Sequence, residues 1–129
     1  MEINEISSKI IKAAITVHRE LGPGLLESVY QACMFIELKI IGLKVQSEVN
    51  LPVIYRKQEV EGQLFRLDLL VENKIIVELK SVTKIEPVHK KQLLTYLRLA
   101  QKPLGWLINF NEVLLKDGIT RIINTPKTL

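Results

Sequence analysis

The chain has 129 residues, a formal net charge of +4, 47% hydrophobic residues and one cysteine. That length fits one domain, residues 1–129, around one modest core. No apolar run approaches the roughly 20 residues that span a bilayer, and the acidic start Met1-Glu2-Ile3-Asn4-Glu5 lacks the pattern of a signal peptide, so a cytoplasmic protein without a membrane partner is expected. The lone Cys33 excludes an internal disulfide and a cysteine-based zinc site, and in its apolar stretch it reads as a small buried hydrophobe.

The first element falls at about residues 4–20, where Ile6, Ile10, Ala13, Ala14, Val17 and Leu21 recur at helical spacing. Gly22-Pro23-Gly24 ends it. A second helix is expected from about Leu25 to Ile41, with Tyr30, Cys33, Met34, Glu37, Leu38 and Ile41 at three- and four-residue intervals and Gly42 as its C-terminal cap. Two strand candidates follow, Leu43–Ser47 and Val49–Tyr55, with Pro52 marking an edge or a bend. Arg56–Gly62 reads as a polar turn. Next comes a hairpin turning at Glu72-Asn73-Lys74. One face would carry Phe65, Leu67, Leu69, Val71, Ile75, Val77 and Leu79; on the other, Leu70 would pair with Ile76. Pro87 is placed to open a helix running to Ala100. Gly105–Phe110 looks like a buried strand, parallel to Ile75–Lys80 across that helix. Lys116-Asp117-Gly118 turns into a last apolar run, Ile119–Ile123. This order predicts an α/β or α+β sandwich.

The hairpin also carries the chemistry. Centred on Asn73, it sets Asp68 opposite Glu78 and Arg66 opposite Lys80. Like charges facing each other across a sheet are destabilising and call for a cation. A divalent metal beside Lys80 meets that need, held by Asp68, Glu78 and the carbonyl of Leu79. Hard ions such as Mg²⁺ take oxygen ligands, often only one or two carboxylates. Such an ion lowers the pKa of a bound water and clamps phosphate oxygens, while Lys80 orients the water or stabilises developing negative charge. The bland alternative is a surface charge ladder in which Lys80 merely neutralises two acids.

Glu27 and Tyr30 share one helical face, as do His89, Gln92 and Tyr96. On a functional reading Glu27 joins the metal site through a water, and the others contact phosphate or line the site. On the bland reading Glu27 favours the helix N-terminus, and the tyrosines are core residues. His18 reads as an ordinary helix residue and Trp106 as sheet core. Lys84, Lys90, Lys91, Arg98 and Lys102 follow the acidic cluster closely, which suits a polyanionic partner.

Several ordered blocks resemble one known family. Gly24-Leu25-Leu26-Glu27-Ser28-Val29-Tyr30 fits the signature of the GxxExxY proteins. Arg66-Leu67-Asp68, Val77-Glu78-Leu79-Lys80, the run from Val88 to Leu97, and Leu107-Ile108-Asn109-Phe110 fit its later blocks. That family is similar to a compact branch of the PD-(D/E)xK nuclease-like superfamily. The resemblance implies a restriction-endonuclease-like αβββαβ core with a mixed sheet flanked by helices. It implies a nuclease dependent on Mg²⁺ or Mn²⁺, acting on DNA or RNA. By position, Asp68, Glu78 and Lys80 become the motif's acid, acid and lysine, Glu27 the helix-borne acid and third metal ligand, and Gln92 a catalytic glutamine. Tyr30, His89, Tyr96, Lys90 and Lys91 become substrate-binding. Leu67 stands where the motif would have proline. Two other readings stay open: a non-catalytic nucleic-acid-binding or repair accessory module, and a protein–protein adaptor, with a homodimer through an apolar edge.

Overall fold

The structure is a computed structural model and describes residues 1–125; the remainder of the expected domain, residues 126–129, lies outside the described residues. Three helices, α1 (Ile3–Leu21), α2 (Glu27–Ile40) and α3 (Pro87–Ala100), pack on a sheet of β1 (Val45–Tyr55), β2 (Gln58–Val71), β3 (Ile75–Lys80), β4 (Leu104–Asn109) and β5 (Ile119–Ile123). The strands lie in sequence order. All neighbours are antiparallel except β3 and β4, whose parallel pairing follows from the α3 crossover between them. The fold is therefore α+β, with the mixed sheet expected of a restriction-endonuclease-like core. No described helix is long and apolar enough to cross a membrane.

The alternation of strand side chains sends two cores to opposite faces. Ile6, Ile10, Ala14 and Val17 of α1 and Tyr30, Met34 and Leu38 of α2 meet Leu69, Val71, Ile75, Val77, Leu79 and Ile108. Leu93, Tyr96 and Leu97 of α3 meet Leu67, Leu70, Ile76 and Leu107 on the other face. Full burial of each Leu or Ile is worth about 1.5–3 kcal/mol. The interleaving of β3 between these layers explains why it is apolar on both sides. Trp106 packs against the α1 side and donates its indole N–H to Ser7 Oγ at 3.0 Å, in line with its reading as sheet core. His18 does more than occupy a helix: its Nε2 lies 2.7 Å from the Glu112 carbonyl, tying α1 to the loop after β4. Cys33 is half-buried against the core.

Three strand expectations need correction. Leu43–Ser47 and Val49–Tyr55 are not separate strands: β1 runs unbroken from Val45 to Tyr55, and its register with β2 shifts between Pro52 and Ile54. Arg56–Gly62 is not a loop: only Arg56 and Lys57 turn, both at positive φ, and β2 resumes at Gln58. Such a two-residue turn with positive φ at both positions matches the natural strand twist. Phe65 and Leu67 do not share the layer of Leu69; they pack with the α3 core. The alternation breaks at Asp68, where β2 parts from β3.

Candidate metal and phosphate site

The site forms where two paired strands come apart. The β2–β3 ladder holds Val71 to Ile75, Leu70 to Ile76 and Leu69 to Val77, and no described pair follows. The same register carried one step further sets Asp68 against Glu78. Here side chains replace the ladder. Glu78 Oε2 accepts the Asp68 N–H at 2.8 Å, and Asp68 Oδ2 accepts the Leu79 N–H at 2.8 Å. Each carboxylate thus spends one oxygen on the opposite strand. Their second oxygens form no hydrogen bond among the described residues. No fully buried side-chain oxygen or nitrogen is left unpartnered there either, so both second oxygens open to the surface.

Glu27 comes from the other direction. It is the first residue of α2, and its Oε2 accepts the Ser81 N–H at 3.2 Å, one residue beyond β3. Ser81 Oγ in turn donates to the Leu25 carbonyl at 2.6 Å. The loop holding α2 in this place is pinned by Tyr30, whose hydroxyl donates to Gly22 O at 2.6 Å and accepts from Leu25 N–H at 3.1 Å. Tyr30 is fully buried and stacks on Phe110 with ring centroids 4.6 Å apart. Its expected place in substrate binding is therefore corrected. Both functions of its hydroxyl are used inside the fold, where they hold Gly22 and Leu25 in the turn that precedes Glu27.

The electrostatics reflect burial first and crowding of like charges second. Burial pushes Glu78 up to about 8, and the neighbouring Asp68 adds to the rise; hydrogen bonding and Lys80 oppose it. Asp68 is raised chiefly by burial, with Glu27 and Glu48 adding to it and the Leu79 N–H and Lys80 pulling it down. Glu27, Asp68, Glu78 and Lys80 are thus close enough for their charges to act on one another. Tyr96 belongs to the same neighbourhood. It is buried, and its hydroxyl is raised by desolvation and by the charges of Glu78 and Asp68. The donor set fits a hard, oxygen-seeking cation: carboxylates presenting a free oxygen each, held by fixed backbone groups, and short of positive charge.

The remaining candidates lie along α3. Gln92, Lys90 and Lys91 are exposed. Gln92 shares the helical face of Tyr96 one turn away. His89 is partly committed: Nδ1 accepts the Glu86 N–H at 2.9 Å, half of a capping box that starts α3 with Pro87 in its first turn. Arg66 does not face Lys80. β2 has turned toward β1, so Arg66 stands in register with Asn50, and Lys80 with Asn109.

Three residues in or beside the site had been given no role. Ser81 holds Glu27. Asn109, fully buried, accepts the Val82 N–H at 3.1 Å and donates to the Val82 carbonyl at 2.9 Å, fixing the chain that leaves the site. An asparagine inside the apolar run Leu107–Phe110 was the available signal, because a buried amide must find partners. Glu48, the third, fell between the two strand candidates and had no pattern to mark it.

Comparison with protein families gives a direct result: the sequence model of the PD-(D/E)XK nuclease superfamily matches residues 4–122. The chain belongs to that superfamily. The narrower likeness to GxxExxY proteins rests on the sequence blocks alone. No curated protein and no solved structure matches the chain.

Proposed function

We propose that the protein is a metal-dependent nuclease that hydrolyses phosphodiester bonds of DNA or RNA, with Mg²⁺ or Mn²⁺ as its cofactor. The observation that carries this reading is the pair of crossed hydrogen bonds at the strand fork, which fixes both carboxylates on backbone and leaves one oxygen of Asp68 and one of Glu78 without a hydrogen bond among the described residues. Those two carboxylates would hold the ion, with Glu27 completing the acidic set. A divalent ion there supplies Lewis acidity, lowering the pKa of an attacking water and offsetting charge on the phosphate. The chain's own residues do the rest. Lys80 offsets the charge of Asp68 and Glu78 and would stabilise negative charge on the reacting phosphate. Gln92 and Tyr96 present hydrogen-bonding groups from α3, while Lys90 and Lys91 add positive charge for the nucleic-acid backbone. Cleavage of labelled DNA and RNA by the purified protein tests this. Activity is expected with Mg²⁺ or Mn²⁺, lost on chelation, and reduced at least about 100-fold in Asp68→Asn. Wild-type rates in that variant would remove the assigned site.

A second reading has one observation in its favour. Among the described residues, no three His, Cys, Asp or Glu side chains make a ready metal cage. A nucleic-acid-binding module without turnover would then keep salt-sensitive binding in Lys80→Ala and show no metal-stimulated cutting.

A further inference from the structure

Among the described residues one ion pair forms, between Arg66 Nη1 and Glu48 Oε2 at 3.7 Å. Both side chains are well exposed, 65% and 58%, so the pair itself contributes roughly 0–1 kcal/mol. Its geometry nevertheless costs something. Glu48 sits inside β1, between Ser47 and Val49, which pair with Leu69 and Leu67, yet it has φ of 50°. That conformation costs a residue with a Cβ about 1–2 kcal/mol. A contact this weak does not account for strain of that size. Strained backbone of this kind concentrates where function requires it.

The position of the pair gives the strain a use. Glu48 and Asp68 lie between the paired positions Ser47–Leu69 and Val49–Leu67, and the negative charge of Glu48 acts on Asp68. Arg66 precedes Asp68 by two residues on β2, so it stands beside the fork on the β1 side. A guanidinium is a planar donor fork that matches a phosphate or a carboxylate equally well. The carboxylate of Glu48 offers Arg66 what a phosphodiester would offer: oxygen acceptors and a negative charge.

We propose that Arg66 binds a backbone phosphate of the nucleic acid next to the reacting one, and that Glu48 holds the guanidinium in place until that phosphate displaces it. This subsite rests on the nuclease reading for its substrate class, but it is tested by binding alone. The exchange is cheap because the pair given up is exposed and weak. The positive-φ residue Glu48 sets its carboxylate within 3.7 Å of the guanidinium and near Asp68.

The test uses fluorescence anisotropy of a labelled single-stranded DNA oligonucleotide with the full chain and a chelator, from about 50 to about 200 mM KCl. Arg66→Gln is expected to weaken binding several-fold and to reduce the salt slope by about one ion. Glu48→Gln is expected to tighten binding, by up to about fivefold, because the competing carboxylate charge is gone. The swap E48R/R66E is expected to keep the wild-type melting temperature yet bind no better than Arg66→Gln. The proposal is overturned if Glu48→Gln leaves binding unchanged or weakens it. It is equally overturned if Arg66→Gln binds like wild type, if the swap restores binding, or if the wild type fails to bind the probe. Binding that follows the expected pattern without metal-dependent cutting would instead defeat the nuclease reading and leave the subsite standing. Cutting with unmoved binding in both single variants would do the reverse.

Discussion

Glu78 is the most perturbed group among the described residues, and its protonation links the site to stability. Its carboxyl is raised from 4.5 to about 8 by burial and by Asp68. In the unfolded chain it ionises near its ordinary value, while the metal-free native state keeps the proton until about pH 8. Unfolding between these limits releases a proton, so native stability is fully present below the lower value and falls as pH rises through the upper one. The melting temperature of chelator-treated protein should therefore drop between about pH 5 and about pH 8. Glu78→Gln, which cannot ionise, should flatten that slope. An identical slope in the variant would place the titration elsewhere. Arg66 shows how a neighbour on the wrong strand misleads: simple hairpin counting set it against Lys80, but the fork at Asp68 gave it to β1.

The loop between α1 and α2 acts as the brace for Glu27. Gly22 and Gly24 take positive φ there, and Tyr30 binds both sides of the turn. Tyr30→Phe keeps the ring stacked on Phe110 but removes two hydrogen bonds from a buried group. A loss of about 1–2 kcal/mol in denaturant unfolding is expected. Metal-dependent activity should fall further than stability alone explains, since Glu27 loses its fixed approach to Ser81. Unchanged stability would mean that the turn is held without the phenol. The helices and β3, β4 and β5 were legible in sequence because their periodicities are regular and their ends carry Gly, Pro or charge. The acid pair was legible because hairpin register is simple arithmetic from the turn at Asn73. What escaped was irregular. β1 and the stretch Gln58–Gly62 defy local signals because long-range pairing carries polar residues such as Gln58 and Glu59 into a ladder. The strain at Glu48 has no sequence mark, since glutamate at positive φ is set by its surroundings. Tyr30 fitted two roles at one spacing, and only its burial separated them.

The layers together give the acids their setting. One face of the sheet is sealed by α1 and α2 and the other by α3, and the fork lies where β2 leaves β3 between these layers. Glu27 in the first turn of α2 and Tyr96 of α3 thereby both come near Asp68 and Glu78, although they are far apart in sequence. The chain carries a net charge of +4, which on the proposed reading would favour encounter with a polyanion. Convergence of Glu27, Asp68 and Glu78 on a space that takes a divalent ion is the claim on which everything else depends. It is tested most directly by calorimetric titration of Mn²⁺ at neutral pH in buffers of differing ionisation enthalpy. One ion bound per chain is expected, with roughly one proton released as the raised carboxyl ionises, and with binding abolished in Asp68→Asn and the proton release lost in Glu78→Gln. Binding that is absent in the wild type, or undiminished in Asp68→Asn, would contradict the account.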